Sequence, residues 1–218
     1  MLVANMNLHE AYANLMADRK KLEWKRDALF QKAGKEINRA GTLPGWVMYE
    51  YQVPSSNNHY ILYFYREHAW GNIFGGFLCV LFDGAKRFIL KWTHEDNPEI
   101  HVFTSHFLQR YKERFLRQPD LSANEVAVRY LTRNTHMHPI TIDERISKRI
   151  AEYGEYAAEG YLVTDGFCFK LSGEEVQADQ SVIKISLFTT FMPLTEMTEA
   201  QREAIFEEYL KDVDDLRI

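Results

Sequence analysis

GFLCVLFDGAKRFILKWT, residues 76–93, decides the fold. Two apolar runs rich in β-branched and aromatic residues flank Asp83-Gly84. An Asp-Gly pair between such runs is a strong hairpin signal, because glycine enters a positive-φ turn without steric cost. The same texture fills residues 46–53 (WVMYEYQV) and 60–66 (YILYFYR) upstream. The segments between them, PSSNN and EHAWGN, carry turn-forming residues. After the turn EDNPE a further short strand is expected over 100–104. Together these pieces predict an antiparallel meander.

On the N-terminal side, residues 8–40 read as one long helix. Leu8, Leu15, Leu22 and Leu29 recur every seven residues, and Gly41 is a natural stop. Frequent Lys and Arg give it a solvated face. A helix of this length can also pair with a copy of itself, so a homodimer through it is an expectation. On the C-terminal side, residues 105–116 form one predicted helix and 122–133 a second. In the second, Ser122 is the N-cap and Glu125 sits at the capping-box position. A third helix is expected over 146–156. Strand texture returns at 161–171 and 182–191. In the latter, Ile183, Ile185 and Leu187 share one face, and Lys184 and Ser186 the other. The tail over 198–213 reads as an acidic helix. The class is α+β: antiparallel sheet, long N-terminal helix, central helical cluster and C-terminal helix. The domain reading is residues 1–42 as the long helix and 43–218 as the α+β domain, or 1–218 as one domain.

The chain has 218 residues, 46% of them hydrophobic, with 26 Lys+Arg against 31 Asp+Glu and a formal charge of −5. Collagen-like, disordered and low-complexity classes are excluded. A chain this long hides roughly 70% of its unfolded surface and needs no staples. Cys79 and Cys168 lie inside apolar runs and read as small core hydrophobes. MLVANMNLHEAY, residues 1–12, has no cationic stretch leading into an apolar one, so no secretory signal is expected. The longest apolar run, 73–82, is interrupted by Gly75 and Gly76 and is far short of the about 20 residues a bilayer needs. A cytoplasmic protein with no membrane partner is the expectation. Residues 106–149 carry nine Lys or Arg against five acids, while the chain from Thr190 onward carries three against eight. The sequence pI of about 5.9 argues against tight non-specific nucleic-acid binding.

One constellation stands out. At about 100° per residue, with His106 at zero, Arg110 falls near about 40°, Arg114 near about 80° and Arg117 near about 20°. Leu108, Tyr111 and Phe115 occupy the opposite side. The helix therefore packs through its apolar side and presents a His-Arg-Arg-Arg row elsewhere. Parallel guanidiniums repel one another unless an anion, a carboxylate or water lies over them. The helix dipole and the arginines both favour a neutral His106 imidazole, the state of a general base. Arg110 and Arg114 can hold a phosphate bidentately, with Arg117 as an outer member. Equally, the row can pair with Glu113 or with tail acids such as Glu207 and Glu208.

VFTSHFLQRYKERF, residues 102–115, resembles the strand–helix signature of the barnase–EndoU–colicin–RelE group of small ribonuclease folds. That pattern is a short strand, T/S-x-H, then H-x3-R-x3-R along a helix. A second helix follows, here opened by LSANEV, and then antiparallel strands. The last strand carries a hydroxyl residue near the site, here Thr189-Thr190. The resemblance covers roughly 103–191. It implies a metal-independent endoribonuclease of toxin type, or a degenerate relative, with RNA as a partner and a neutralising protein as another. His106 would be the base, Arg110 and Arg114 the phosphate clamp, and Thr190 would position or donate. This chain departs from the group in being larger and acidic, in the meander before the helix and in the extra helix over 146–156. The alternative is a non-catalytic interaction protein whose long helix and aromatic sheet form a partner surface.

Other constellations carry less. His94, His101, His106, His136 and His138 cluster in sequence, and His136-x-His138 with Asp143 or Glu144 is a conceivable metal set. THMHP reads as a loop, and no third ligand has a recognisable spacing, so neither a metal nor a cofactor is expected. Gly71 to Gly76 lacks the Lys-Ser/Thr of a P-loop. Tyr49, Tyr51, Tyr60, Tyr63, Tyr65 and Trp70 read as core on one sheet face and partner surface on the other.

Overall fold

The computed structural model describes residues 1–41, 43, 45–93, 96–142 and 159–215, with side chains described through residue 211. Helix α1 (Leu8–Ala40) opens on a capping box: the Asn7 side chain accepts the Glu10 N–H, and the Glu10 side chain returns a bond to Asn7. Gly41, at φ 64°, stops it. Strands β1 (Gly45–Gln52), β2 (His59–Arg66), β3 (Phe74–Asp83), β4 (Lys86–Trp92) and β5 (Glu99–Phe103) follow as the expected antiparallel meander. Gly84, at φ 57°, makes the tight β3–β4 turn.

Helix α2 (Ser105–Arg110) runs straight into a π-helical turn (Tyr111–Leu116), so the helix expected over 105–116 changes pitch half-way. Helix α3 (Ala123–Arg133) starts at Ser122 with the predicted capping box to Glu125. A second antiparallel meander then forms from β6 (Met137–Thr141), β7 (Glu159–Val163), β8 (Gly166–Val176) and β9 (Val182–Met192). A 3-10 turn (Leu194–Glu196) leads into α4 (Glu199–Asp215). Two expectations are corrected here. The C-terminal β region is four strands, not a pair, and THMHP enters β6 instead of looping. Pro139 sits in that outermost strand, where a missing N–H is tolerated. The helix expected over 146–156, His94, Asp143 and Glu144 lie outside the described residues.

Among the described residues nine strands form one sheet, in the order β1-β2-β3-β4-β5-β9-β8-β7-β6. Every pairing is antiparallel except the central one, β5 against β9. The fold is α+β. α1 lies on one face, where Leu15, Leu22, Ala33 and Ile37 pack against Tyr60, Leu62, Phe64, Cys79 and Leu90. The leucines that suggested pairing with a second copy are thus turned toward the chain's own sheet. α4 packs against Phe167, Phe169, Leu162 and Ile140, on the same face by strand alternation. α2, the π turn and α3 cover the other face through Phe107, Leu108, Tyr111, Val126 and Tyr130. Among the described residues no helix is long and apolar enough to cross a membrane.

A β-bulge sets the faces of β9. Phe169 lies opposite Thr190 and Lys170 opposite Phe188, so Thr189 is the extra residue. It reverses the alternation, and Phe188 and Phe191 both face the α2 side. The Thr104 N–H and hydroxyl reach the Phe188 carbonyl (3.4 and 3.2 Å), and the same hydroxyl lies 3.4 Å from the Thr189 carbonyl. Thr104 is also the N-cap of α2, accepting from the Phe107 N–H. One threonine therefore ties the start of α2 to the bulge.

α1 is pinned by a buried carboxylate. Asp18, 1% exposed, accepts hydrogen bonds from Ser56 (2.5 Å), Asn58 (2.8 Å) and Tyr60 (2.9 Å). If the carboxylate goes, Ser56 and Tyr60 lose this acceptor and Asn58 keeps only a long bond to the Tyr60 hydroxyl (3.4 Å), and an unsatisfied buried donor costs about 1–3 kcal/mol. Asp18→Ala is expected to lower stability by about 3 kcal/mol or more in urea denaturation. Asp18→Asn, which keeps one acceptor oxygen, is expected to cost less.

Candidate functional site

α2 leaves the sheet where β5 ends, carrying His106 and Arg110 on the side away from the buried Phe107 and Leu108. His106 is exposed, and Arg110 Nε points at its Nε2 from 3.4 Å. Arg110 Nη1 lies 3.7 Å from Glu113. The π turn then changes the angular step, because i→i+5 bonding winds less than 100° per residue. Arg114 reaches toward the end of β9, with Nη1 3.4 Å from the Phe191 carbonyl and Nε 3.6 Å from Glu196. His106, Arg110 and Arg114 thus stay along α2 and its continuation, with two carboxylates beside them.

Arg117 leaves the row. Its N–H closes the last π bond to the Lys112 carbonyl (2.8 Å), and its backbone turns left-handed at φ 53°. Its side chain borders a cleft between the π turn and α3, together with Leu108, Lys112 and Leu121.

Thr190 does not join the row either. It is 3% exposed and lies opposite Phe169, which packs under α4. A straight period-2 count from Ser186 puts Thr190 on the α2 face, and the bulge at Thr189 reverses it. The Thr189 carbonyl lies 3.4 Å from the capping Thr104 hydroxyl, and the Thr189 side chain donates to the Phe169 carbonyl (3.2 Å).

The sequence reading missed two polar clusters on the α2 side. In the first, Arg133 holds Asp165 bidentately (2.9 and 2.7 Å) while Tyr111 (2.5 Å) and Asn134 (3.0 Å) donate to the same carboxylate. Arg133 also stacks over Phe115. This cluster fastens α3 and the π turn to the β7–β8 turn. Deep burial, and then the Asp165 carboxylate it shares, push the Tyr111 hydroxyl far above its ordinary pKa, so it stays a donor.

The second cluster crosses the central seam of the sheet. The Ser186 hydroxyl, 1% exposed, donates to Glu99 (2.6 Å), and His101 Nε2 lies 3.1 Å from the same oxygen without aiming a well-aligned hydrogen bond at it. Lys170, 7% exposed, donates to Tyr161 (3.2 Å) and Ser186 (3.4 Å) and pairs with Glu159 at 3.0 Å. Glu99, Glu159, Tyr161, Lys170 and Ser186 border a cavity of about 500 Å³. The signal was present: a lysine inside FCFKL, and Ser186 on the polar face of an apolar strand. The two cysteines are core residues. Burial pushes both thiols up to about 12, which leaves them inert near neutral pH. Among the described residues no group of three His, Cys, Asp or Glu could hold a metal ion.

Comparison with protein-family models, with curated proteins and with solved structures returns no match.

The seam cluster has a pH signature. Contact with His101 holds the Glu99 carboxyl at about 2, against its ordinary 4.5; burial opposes this, and Ser186 and the Lys170 charge assist it. A carboxyl with a depressed folded pKa contributes stability above its unfolded pKa and loses it as the pH falls toward the folded one. The contribution is therefore complete above pH 4.5 and lost between 4.5 and about 2. Glu99→Gln is expected to flatten this limb of a stability-against-pH curve from chemical denaturation, while lowering stability near pH 7.

Proposed function

We propose that α2 engages the phosphate backbone of single-stranded RNA, in the manner of a metal-independent ribonuclease reduced to its base and its cations. One observation supports the reading: His106, Arg110 and Arg114 stand along α2 and the π turn, at the head of the element order that the resemblance calls for. That order is a short strand, the His-Arg helix, a capped second helix and then antiparallel strands. The helix expected over 146–156, which would interrupt that order, lies outside the described residues.

The chemistry follows from the groups present. His106 takes the proton from the ribose 2′-hydroxyl as the oxygen attacks phosphorus. Arg110 and Arg114 meet the charge that builds on the phosphoryl oxygens. Their carboxylate neighbours stand at 3.7 and 3.6 Å, long enough for a phosphate to displace them. Thr190 has no part in this proposal, and the leaving 5′-oxygen takes its proton from water. Turnover is accordingly slow relative to binding. An acidic neutralising protein would cover the same row.

A second reading draws on the contact between Arg114 and Glu196, which lies just ahead of α4. In that reading the row is internally neutralised and the chain is a non-catalytic interaction protein.

The deciding experiment incubates a labelled single-stranded RNA with the protein in EDTA. Wild type is expected to cleave, and His106→Ala to lose at least tenfold, since general bases contribute about 10²–10⁴. Arg110→Ala is expected to weaken RNA binding and reduce its salt slope by about 1. Binding and cleavage that are both absent from wild type leave the interaction reading standing.

A further inference from the structure

We propose that the cleft between the π turn and α3 binds a small amphipathic carboxylate, its apolar body against Leu108, Leu121 and Val126 and its acid group on Arg117 and Lys112. The cleft is a cavity of about 600 Å³, within the range of small-molecule sites. Its polar groups are unevenly charged. Lys112 and Arg117 are cationic, and the one acid, Glu113, is engaged by Gln109 (2.7 Å) and Arg110 (3.7 Å). Lys112 donates one N–H to the Leu121 carbonyl (2.7 Å), and its charge also acts on the Glu125 carboxylate at the start of α3. An apolar floor under two cations suits a ligand with a hydrocarbon or aryl body and one negative head.

The backbone of Arg117 adds an independent observation. It ends the π turn at φ 53° and ψ 36°, a position where glycine is the favoured residue. A side chain kept at a backbone conformation that disfavours it points to a use for that side chain. Here the use is the carboxylate. The cleft contains none of His106, Arg110 and Arg114, and meets their row only at Glu113, which borders the cleft and pairs with Arg110.

Decanoate is the probe, with decanol as its uncharged counterpart, titrated calorimetrically into the full chain. Wild type is expected to bind decanoate saturably at one site and at least fivefold more tightly than decanol. Arg117→Gly is expected to raise the melting temperature by about 2–4 °C, because it relieves the left-handed backbone. The same variant is expected to lose at least fivefold in decanoate affinity while its affinity for decanol stays unchanged. Arg117→Lys is expected to recover most of the decanoate binding. Ala123→Leu, which fills the cleft from the first turn of α3, is expected to weaken both probes with α-helix content intact by circular dichroism. Equal binding of decanoate by wild type and Arg117→Gly overturns the proposal, as does the lack of saturable binding by wild type.

Discussion

The threonine at the end of β5 holds the working half of this molecule together. Thr104 caps α2 with its hydroxyl and turns the same side chain onto the Phe188 and Thr189 carbonyls, where the β9 bulge lies. A bulge frees backbone groups that must find partners, and a helix start has N–H groups in the same condition. Joining the two satisfies both with a single residue. The consequence reaches the core: with the alternation reversed at Thr189, Phe188 and Phe191 both turn under α2 and meet Phe107 and Tyr111 edge-on. The direction of α2, and hence of everything it displays, is set by this junction.

The broad fold was legible because it rests on local rules. The Asp83-Gly84 turn, the seven-residue leucine spacing and the Ser122–Glu125 box each act within a few residues, and each appears where the pattern put it. The site was only partly legible, for reasons that are not local. A bulge leaves no mark in a period-2 pattern, so Thr190 was assigned to the wrong face. A π turn obeys no 3.6-residue count, so Arg117 was aligned with a row it leaves. The strand through Pro139 was missed because proline normally ends a strand, and only its place at the sheet edge permits it. The seam cluster joins Glu99 and His101 of β5 to groups on β7, β8 and β9 about 60 or more residues later, and spacing carries no trace of their meeting.

α2 is bounded by two different chemical environments. On one flank stand an imidazole and guanidiniums with carboxylates at arm's length; on the other lies a greasy cleft with cations at its mouth. The apolar side between them is fixed by Phe107 and Leu108, both buried, so neither flank can rotate away without opening the core. The π turn separates the flanks further by sending Arg114 toward β9 and Arg117 toward α3.

The pairing of β5 with β9 has a kinetic meaning. Each of the two meanders is knitted from neighbours in the chain, and hairpins of that kind zip quickly. Their union is the parallel seam, in which Glu99 meets Lys184 and Phe103 meets Phe188, partners separated by most of the C-terminal half of the chain. Closing so large a loop is entropically slow, so each half can gather its own strands before the two lock edge to edge. The charged side chains beneath the seam would then act as the latch that rewards the correct alignment and leaves a slipped one with buried ions unmatched.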